Sequence, residues 1–508
     1  MKKLSIKNIK LKHIHITIII LGIIFIALAA FHTNLWFDES YSVAISNNHT
    51  FGEIWSIGGY DVHPVLYYWI LKIVSLIFGN NILAFRLISV ISLSILGILG
   101  YTHIRKDFGE KVGLLFSFLV YFLPVNVIYA SEIRMYTVGM LFVTIMAIYA
   151  YRIFKGNKSI KNWIIFAIFS LASAYTHYYG LMSAGIINIL LFIFLLKNAI
   201  KERKFTKDLI TFLVQGIIQI ILYIPWIMSL LTQMSQVSAG FWVQWKFPKT
   251  FIDMFEFQFT GNLDDSIYIN NWIAIIYGLI ITVYVIYLII KNIKSKNKQD
   301  IKSARYAIII YFAVILGAIV VSIVLRRSII YARYLLLITG LFIFFLAFIM
   351  EKLGNRKVNL VIYILTVIIA TIVNINMIQT NYDLSNSEPI NYIKENIQEG
   401  DILVYGNEGS GFIISANLPE YTQYFYDKEH WNVEEAYKAY GPNMTTVYDL
   451  SFLDNYTGRI WLINAGNNVL LEQVEEKYGE EVQLVSQQNF SVKYKKYQYT
   501  FNLVEKNS

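Results

Sequence analysis

Two adjacent carboxylates, Asp38 and Glu39, stand in the stretch LWFDESYS at residues 35–42, just past a long apolar run. Charge at a membrane boundary is costly unless it is solvated or used. The loop that holds the pair, residues 32–63, carries four carboxylates (Asp38, Glu39, Glu53 and Asp61) and no lysine or arginine. It closes on YDVHPVLYYW (60–69), which sets His63 beside Asp61 and before Pro64. Further on, YASEIRMY (129–136) carries Glu132, Arg134 and Tyr136, and YTHYYG (175–180) carries His177 and Tyr178. RRSIIYARYLLL (326–337) carries Arg326, Arg327 and Arg333. Arginine suits bidentate contact with phosphate, and a carboxylate suits removal of a hydroxyl proton. Chemistry that uses both is displacement of a phosphate leaving group by a hydroxyl. A base takes the proton while fixed cations stabilise charge on the departing phosphate. A phosphate diester leaves without a proton, so no general acid is needed.

Each piece also has a plain structural reading. Asp38 and Ser40 would cap a short helix over ESYSVAIS, and His63 would be an interfacial hydrogen-bonder. Glu132 and Arg134, two residues apart, point to different helical faces and would form an end-of-helix charge pair. His177 would pack in an aromatic belt. The three arginines favour function, because charge of that sign on that side of a membrane marks a site.

The elements that must position these residues are membrane helices. The chain has 508 residues, 56% hydrophobic and 15% charged, with a mean hydropathy of +0.50. An ordinary globular domain carries about 25% charged residues, and a span needs roughly 20 apolar ones. Apolar runs lie near 14–31, 64–79, 83–104, 112–129, 135–151, 162–176, 178–196, 208–232, 269–290, 306–325, 334–350 and 358–377. The run at 64–79 is short, starts at Pro64 and holds Lys72, which predicts an interfacial helix. Loop charges agree. Six regions (1–15, 105–111, 152–161, 197–207, 291–305 and 352–357) hold 26 of the 43 Lys and Arg residues. With 64–79 lying on the membrane all 26 fall on the cytoplasmic side; if it spans, 21 of them fall outside, against the positive-inside rule. The expectation is eleven spans with the N-terminus cytoplasmic. Asp38, Glu39, Asp61, His63, Glu132, Arg134, His177, Arg326, Arg327 and Arg333 then all share the outer side. The basic start and apolar body of the first segment read as an uncleaved anchor.

From about residue 378 the composition changes. NSEPINYIKENIQEGDILVYGNEGSG predicts a helix, a strand and a Gly-rich turn, GRIWLINAG a buried strand, and VLLEQVEEKYG an amphipathic helix. FSVKYKKYQYTFNLV alternates as one antiparallel strand. The domains expected are therefore 1–377, a transmembrane part with first outer loop 32–63 and interfacial helix 64–79, and 378–508, a small α/β extracytoplasmic domain. The net charge of +9 is loop charge without a basic stripe interleaved with aromatics, so nucleic acid is not a partner. Zero cysteines exclude disulfides and thiolate metal sites.

The ordered stretches WFDESYS, DVHPVLYY, SEIRMY and YTHYYG resemble the GT-C glycosyltransferases of family 39 type, related to protein O-mannosyltransferases and lipid A aminoarabinose transferases. The resemblance covers the first 180 residues and RYLL at 333–336. It implies a GT-C fold, a polyprenyl-phosphate sugar donor, an extracytoplasmic acceptor (glycan, lipid or protein) and inversion at the anomeric carbon. Asp38 matches the family's presumed base, with Glu39 beside it. His63 and Arg333 match positions expected at the donor phosphate, with Arg326 and Arg327 nearby. Glu132, Arg134 and Tyr136 match the EARMY motif, and with Asp61, His177 and Tyr178 they would line the substrate pocket. The usual HPP is His63-Pro64-Val65 here, and SQEARMY begins Ala130-Ser131-Glu132-Ile133, which bears on the donor subtype. Some relatives bind a divalent metal near this loop; no strong ligand set stands out, so a metal is neither assigned nor excluded. The location implied is a bacterial plasma membrane. The rival class is a transporter or flippase of lipid-linked sugars or polysaccharide, which would carry ionisable residues deep in its spans.

Overall fold

The computed structural model describes residues 6–263, 266–428 and 434–507. Along the chain, α1 (Ile6–Ala27) is followed by three shorter helices, α2 (Phe37–Asn48), α3 (Phe51–Gly58) and α4 (Leu66–Phe78). Then α5 (Ile82–Leu99) runs through a π-turn, Gly100–Ile104, into α6 (Arg105–Phe108). The helices α7 (Glu110–Phe122), α8 (Pro124–Tyr129), α9 (Tyr136–Phe154), α10 (Ile160–Thr176), α11 (Tyr178–Glu202) and α12 (Lys207–Gly240) come next. They lead to α13 (Lys249–Thr260), α14 (Asn271–Lys294), α15 (Lys302–Leu325), α16 (Leu336–Leu353) and α17 (Arg356–Asn381).

Among the described residues eight helices are long and apolar enough to cross a membrane. They cover eight of the eleven expected runs, and the chain is a multi-pass membrane protein. Runs 14–31 and 162–176 form shorter apolar helices, as does Leu66–Phe78, the segment expected to be interfacial. Run 112–129 is not one helix. Leu123 is extended (φ −72°, ψ 122°) between α7 and α8, because Pro124 disfavours the helical conformation of the residue before it and removes a backbone donor.

The described residues form two compact units. The first takes residues up to Phe31, Val62–Tyr67 and Arg86–Asn376; the second takes His32–Asp61, Tyr68–Phe85 and residues from Met377 on.

At the centre of the first unit is α16, buried from Leu336 to Met350 and packed on α7, α9, α14 and α15. The contact with α9 depends on glycine. A Cβ at Gly340 would overlap the Thr144 hydroxyl, and one at Gly139 would overlap Leu337. Small residues let helix backbones approach closely where lipid supplies no hydrophobic driving force. A buried polar staple adds register: Tyr311 donates to Gln258 Oε1 at 2.7 Å, and Gln258 Nε2 donates to Thr339 at 3.2 Å, tying α13 to α15 and α16.

In the second unit a six-stranded sheet has the order β3-β2-β1-β4-β6-β5. Its strands are β1 (Ile402–Tyr405), β2 (Thr422–Tyr426), β3 (Met444–Val447), β4 (Gly458–Asn464), β5 (Val482–Ser491) and β6 (Gln498–Lys506). The first four pair in parallel, and β6 runs antiparallel to both β4 and β5. The helices α18 (Glu388–Asn396), α19 (Glu408–Asn417), α20 (Glu434–Tyr437) and α21 (Val469–Tyr478) complete the fold. The buried strands β1 and β4 and the helices α18 and α21 lie where the sequence predicts them. Two expectations differ. GNEGSG is mostly helix: Asn407 caps α19 by accepting from Ser410 N, and Gly411 lies inside it because a Cβ there would press on the Tyr405 ring. FSVKYKKYQYTFNLV is the end of one strand, a turn and a second strand. The turn uses Lys495 and Lys496 at φ 52° and 57°, a left-handed conformation that lysine rarely adopts, so no glycine marks it.

Candidate functional site

In the second unit the acidic pair lies in the first turn of α2, whose N-cap is Trp36. The cap expected of Asp38 and Ser40 is displaced: the N-cap position is Trp36, whose side chain makes no capping hydrogen bond. Carboxylates in a first turn are nonetheless favoured by the helix dipole. Glu39 is fully buried, and its Oε2 accepts from the Tyr494 hydroxyl at 3.1 Å. Phe37 N donates to Tyr497 Oη at 3.2 Å, which satisfies one of the helix's open N–H groups. The Ser40 hydroxyl lies 3.0 Å from that of Tyr440, and the Phe37 ring stacks on Phe412 at 6.0 Å. Lys495 Nζ stands 4.7 Å from the centre of the Trp36 ring. So the sheet and its helices grip α2 along its first turn, with Asp38 half-buried beside them. Burial above all, with the charge of Asp38 contributing, pushes the Tyr440 phenol well above its ordinary value, so it stays a proton donor. Asp61 Oδ2 accepts from Tyr68 Oη at 2.7 Å. The Tyr68 ring meets Tyr41 at 5.7 Å, and Tyr41 meets Tyr440 at 6.2 Å, a chain of rings from Asp61 to the acidic helix.

In the first unit the motif residues converge on His177, in the turn between α10 and α11. Its ring lies 5.3 Å from His63, 6.0 Å from Tyr136 and 4.9 Å from Tyr334. His63, Glu132, Arg134, Tyr136, His177 and Arg333 are all more than nine-tenths buried. His177 caps α11: its Nδ1 accepts from Tyr179 N at 3.1 Å. That bond places the proton of a neutral ring on Nε2, a buried atom with no hydrogen-bond partner among the described residues. Burial first, then the charges of His63 and Arg134, hold the His177 pKa well below its ordinary value. The Arg333 guanidinium lies over the Tyr331 ring at 4.9 Å and donates to its hydroxyl at 3.3 Å.

Glu132 and Arg134 lie on an irregular, buried stretch between α8 and α9. Irregular backbone inside a membrane protein must find hydrogen-bond partners in the protein itself. Arg86 and Ser89 of α5 supply them: Arg86 donates to the Ser131 carbonyl and Ser89 to that of Glu132. Arg86, fully buried, holds the stretch that carries Glu132 and Arg134, and sequence reasoning missed it. Its signal was a single arginine inside the apolar run 83–104.

Three expected site residues lie elsewhere in that unit. Arg326 ends α15 in a left-handed conformation (φ 53°) and is exposed. Arg327, also exposed, donates to the Ser238 and Ala239 carbonyls at the end of α12. The Tyr178 hydroxyl is taken by Gln233 and by Trp226 Nε1, both on α12. Among the described residues no three His, Asp or Glu side chains are grouped as metal ligands.

No curated protein matches the chain in sequence at a significant level. A family model described as dolichyl-phosphate-mannose-protein mannosyltransferase matches residues 62–228, a stretch that includes His63, Glu132, Arg134, Tyr136 and His177. Among solved structures, ArnT from Cupriavidus metallidurans in the apo state is similar, with a TM-score of 0.63 and 8% identity over 96% of this chain and 97% of that one. The same protein bound to undecaprenyl phosphate gives a TM-score of 0.59 at 8% identity and the same coverage. The chain therefore has the GT-C membrane fold of these structures.

Proposed function

We propose that the chain is an integral membrane glycosyltransferase. It moves a sugar from a polyprenyl-phosphate donor to an acceptor hydroxyl of a glycan, lipid or protein on the extracytoplasmic side of a bacterial plasma membrane. The observation that carries this reading is the burial of His63, Arg134 and His177 beside one another in a membrane unit in which Arg333 is buried too. Buried cationic and imidazole groups are expensive in such a setting and mark sites for anions. Two further facts support it: the fold of an ArnT structure that holds undecaprenyl phosphate, and the family model over the same motifs.

In this reading Asp38 takes the proton of the acceptor hydroxyl. The hydroxyl oxygen bonds to the anomeric carbon from the face opposite the phosphate, and the carbon–oxygen bond to phosphate breaks. Polyprenyl phosphate leaves carrying the electron pair, and the sugar inverts. Arg333 and His63 stabilise the charge that gathers on phosphate, with Arg326 and Arg327 as further cations for an approaching lipid. His177 offers its Nε2–H as a neutral donor. Glu39, buried and bonded to Tyr494, orients α2; Glu132, Arg134 and Tyr136 shape the substrate pocket. Incubating the purified chain with polyprenyl-phosphate sugar and acceptor should release polyprenyl phosphate. Movement of intact donor across a vesicle membrane without release would point to the transporter class and overturn the reading.

A further inference from the structure

In the first unit a cavity of about 390 Å³ lies where the chain after α12 meets α13, the α13–α14 turn and residues 330–332. That volume is within the range of small-molecule sites. Trp242, Lys246, Glu256, Asn262, Asn271 and Tyr331 are among its walls. The groups suit sugar hydroxyls. Glu256 is 5% exposed, and its Oε1 accepts from Asn262 Nδ2 at 2.9 Å. Asn262 Nδ2 also donates to the Ile269 carbonyl at 2.7 Å and lies 3.3 Å from Asn271 Oδ1, so its two protons hold it against Glu256 and the backbone with Asn271 alongside. Trp242 and Tyr331 meet edge to face at 4.8 Å, an apolar wall of the kind a pyranose ring can lie against.

The cavity also sits where a donor sugar must sit. In a glycosyl phosphate one oxygen joins ring and phosphate, so a sugar pocket has to share a wall with the cation that holds the phosphate. Tyr331 is such a wall: one residue lines the cavity and carries the Arg333 guanidinium. Charge narrows the ligand further. The lining holds two lysines, Lys246 and Lys249, against two carboxylates, Asp253 and Glu256, and Lys249 pairs with Asp253 at 2.7 Å. A balanced pocket has no net preference for a cationic amino sugar or an anionic uronic acid.

We infer that this cavity is the sugar subsite of the donor and takes an uncharged pyranose, with hydroxyls donating to Glu256 and Asn271 and an apolar face on Trp242. The inference rests on the glycosyltransferase reading. The test measures binding of three lipids to the full chain in detergent: undecaprenyl phosphate, its glucosyl ester and its aminoarabinosyl ester. Wild type should bind the glucosyl lipid more tightly than the aminoarabinosyl lipid. Glu256→Gln and Trp242→Leu should each weaken the glucosyl lipid about tenfold and leave undecaprenyl phosphate within about twofold. Trp242 is 60% exposed, so its replacement leaves the fold intact even if Glu256→Gln does not. Equal losses on both lipids, no loss on either, or a wild-type preference for the aminoarabinosyl lipid would overturn the subsite. A wild-type chain that binds none of the three would instead overturn the glycosyltransferase reading, and the subsite with it.

Discussion

Replacing Tyr494 with Phe removes one hydroxyl and nothing else. That hydroxyl donates to the fully buried carboxylate of Glu39 at 3.1 Å, on the helix turn that also carries Asp38. A hydrogen bond to a charged group contributes about 1.5–3 kcal/mol, and water cannot replace it at a side chain with no exposed surface. If the bond serves to hold α2 for the transition state, its loss lowers kcat by about 10- to 150-fold. KM for the lipid donor should stay within about twofold, because Tyr494 belongs to the unit without Arg333. The assay is release of polyprenyl phosphate by Tyr494→Phe at a series of donor concentrations, with a thermal melt alongside. A wild-type kcat, or a rise in KM with kcat unchanged, would refute the positioning role. A structural role alone would shift the melt without moving kcat.

Arg86→Leu should lower stability by about 1–3 kcal/mol, the cost of a buried carbonyl without its donor, and a melt identical to wild type would count against the Ser131 contact. Gly340→Ala should lower the melt by a similar amount through overpacking against Thr144; a neutral result would mean that α9 and α16 separate freely. His177 makes stability depend on pH in a set direction. Its folded pKa lies well below 6.5, so as pH falls through about 6.5 the unfolded chain takes up a proton that the folded chain refuses. Stability should therefore fall on acidification below about pH 6.5, and His177→Gln should flatten that slope in melts between pH 5 and 8.

What the sequence disclosed follows from the physics of each element. The spans were legible because a membrane helix bonds its own backbone and needs only an apolar run. The run 112–129 reads as one span, and the break that Pro124 imposes at Leu123 shows only in the structure. The hairpin at 482–506 stayed hidden because its turn is built on two lysines in a conformation normally left to glycine. At the site, His63, Tyr136 and His177 were visible as polar motifs at span ends, and the structure brings their rings together. Arg86 was not, because one arginine barely changes the hydropathy of a long run. Least legible was the grip on α2: Tyr494 and Tyr497 lie more than 450 residues from their partners Glu39 and Phe37, and nothing local in a sequence marks such a pairing.

The central claim is sugar transfer from polyprenyl phosphate with Asp38 as the base. Asp38→Asn keeps the size of the side chain and removes its basicity, and general base catalysis contributes about 10²–10⁴-fold. Release of polyprenyl phosphate from a polyprenyl-phosphate sugar by the purified Asp38→Asn chain should fall by at least about 100-fold, while membrane insertion and the thermal melt match wild type. Release at the wild-type rate would contradict the account.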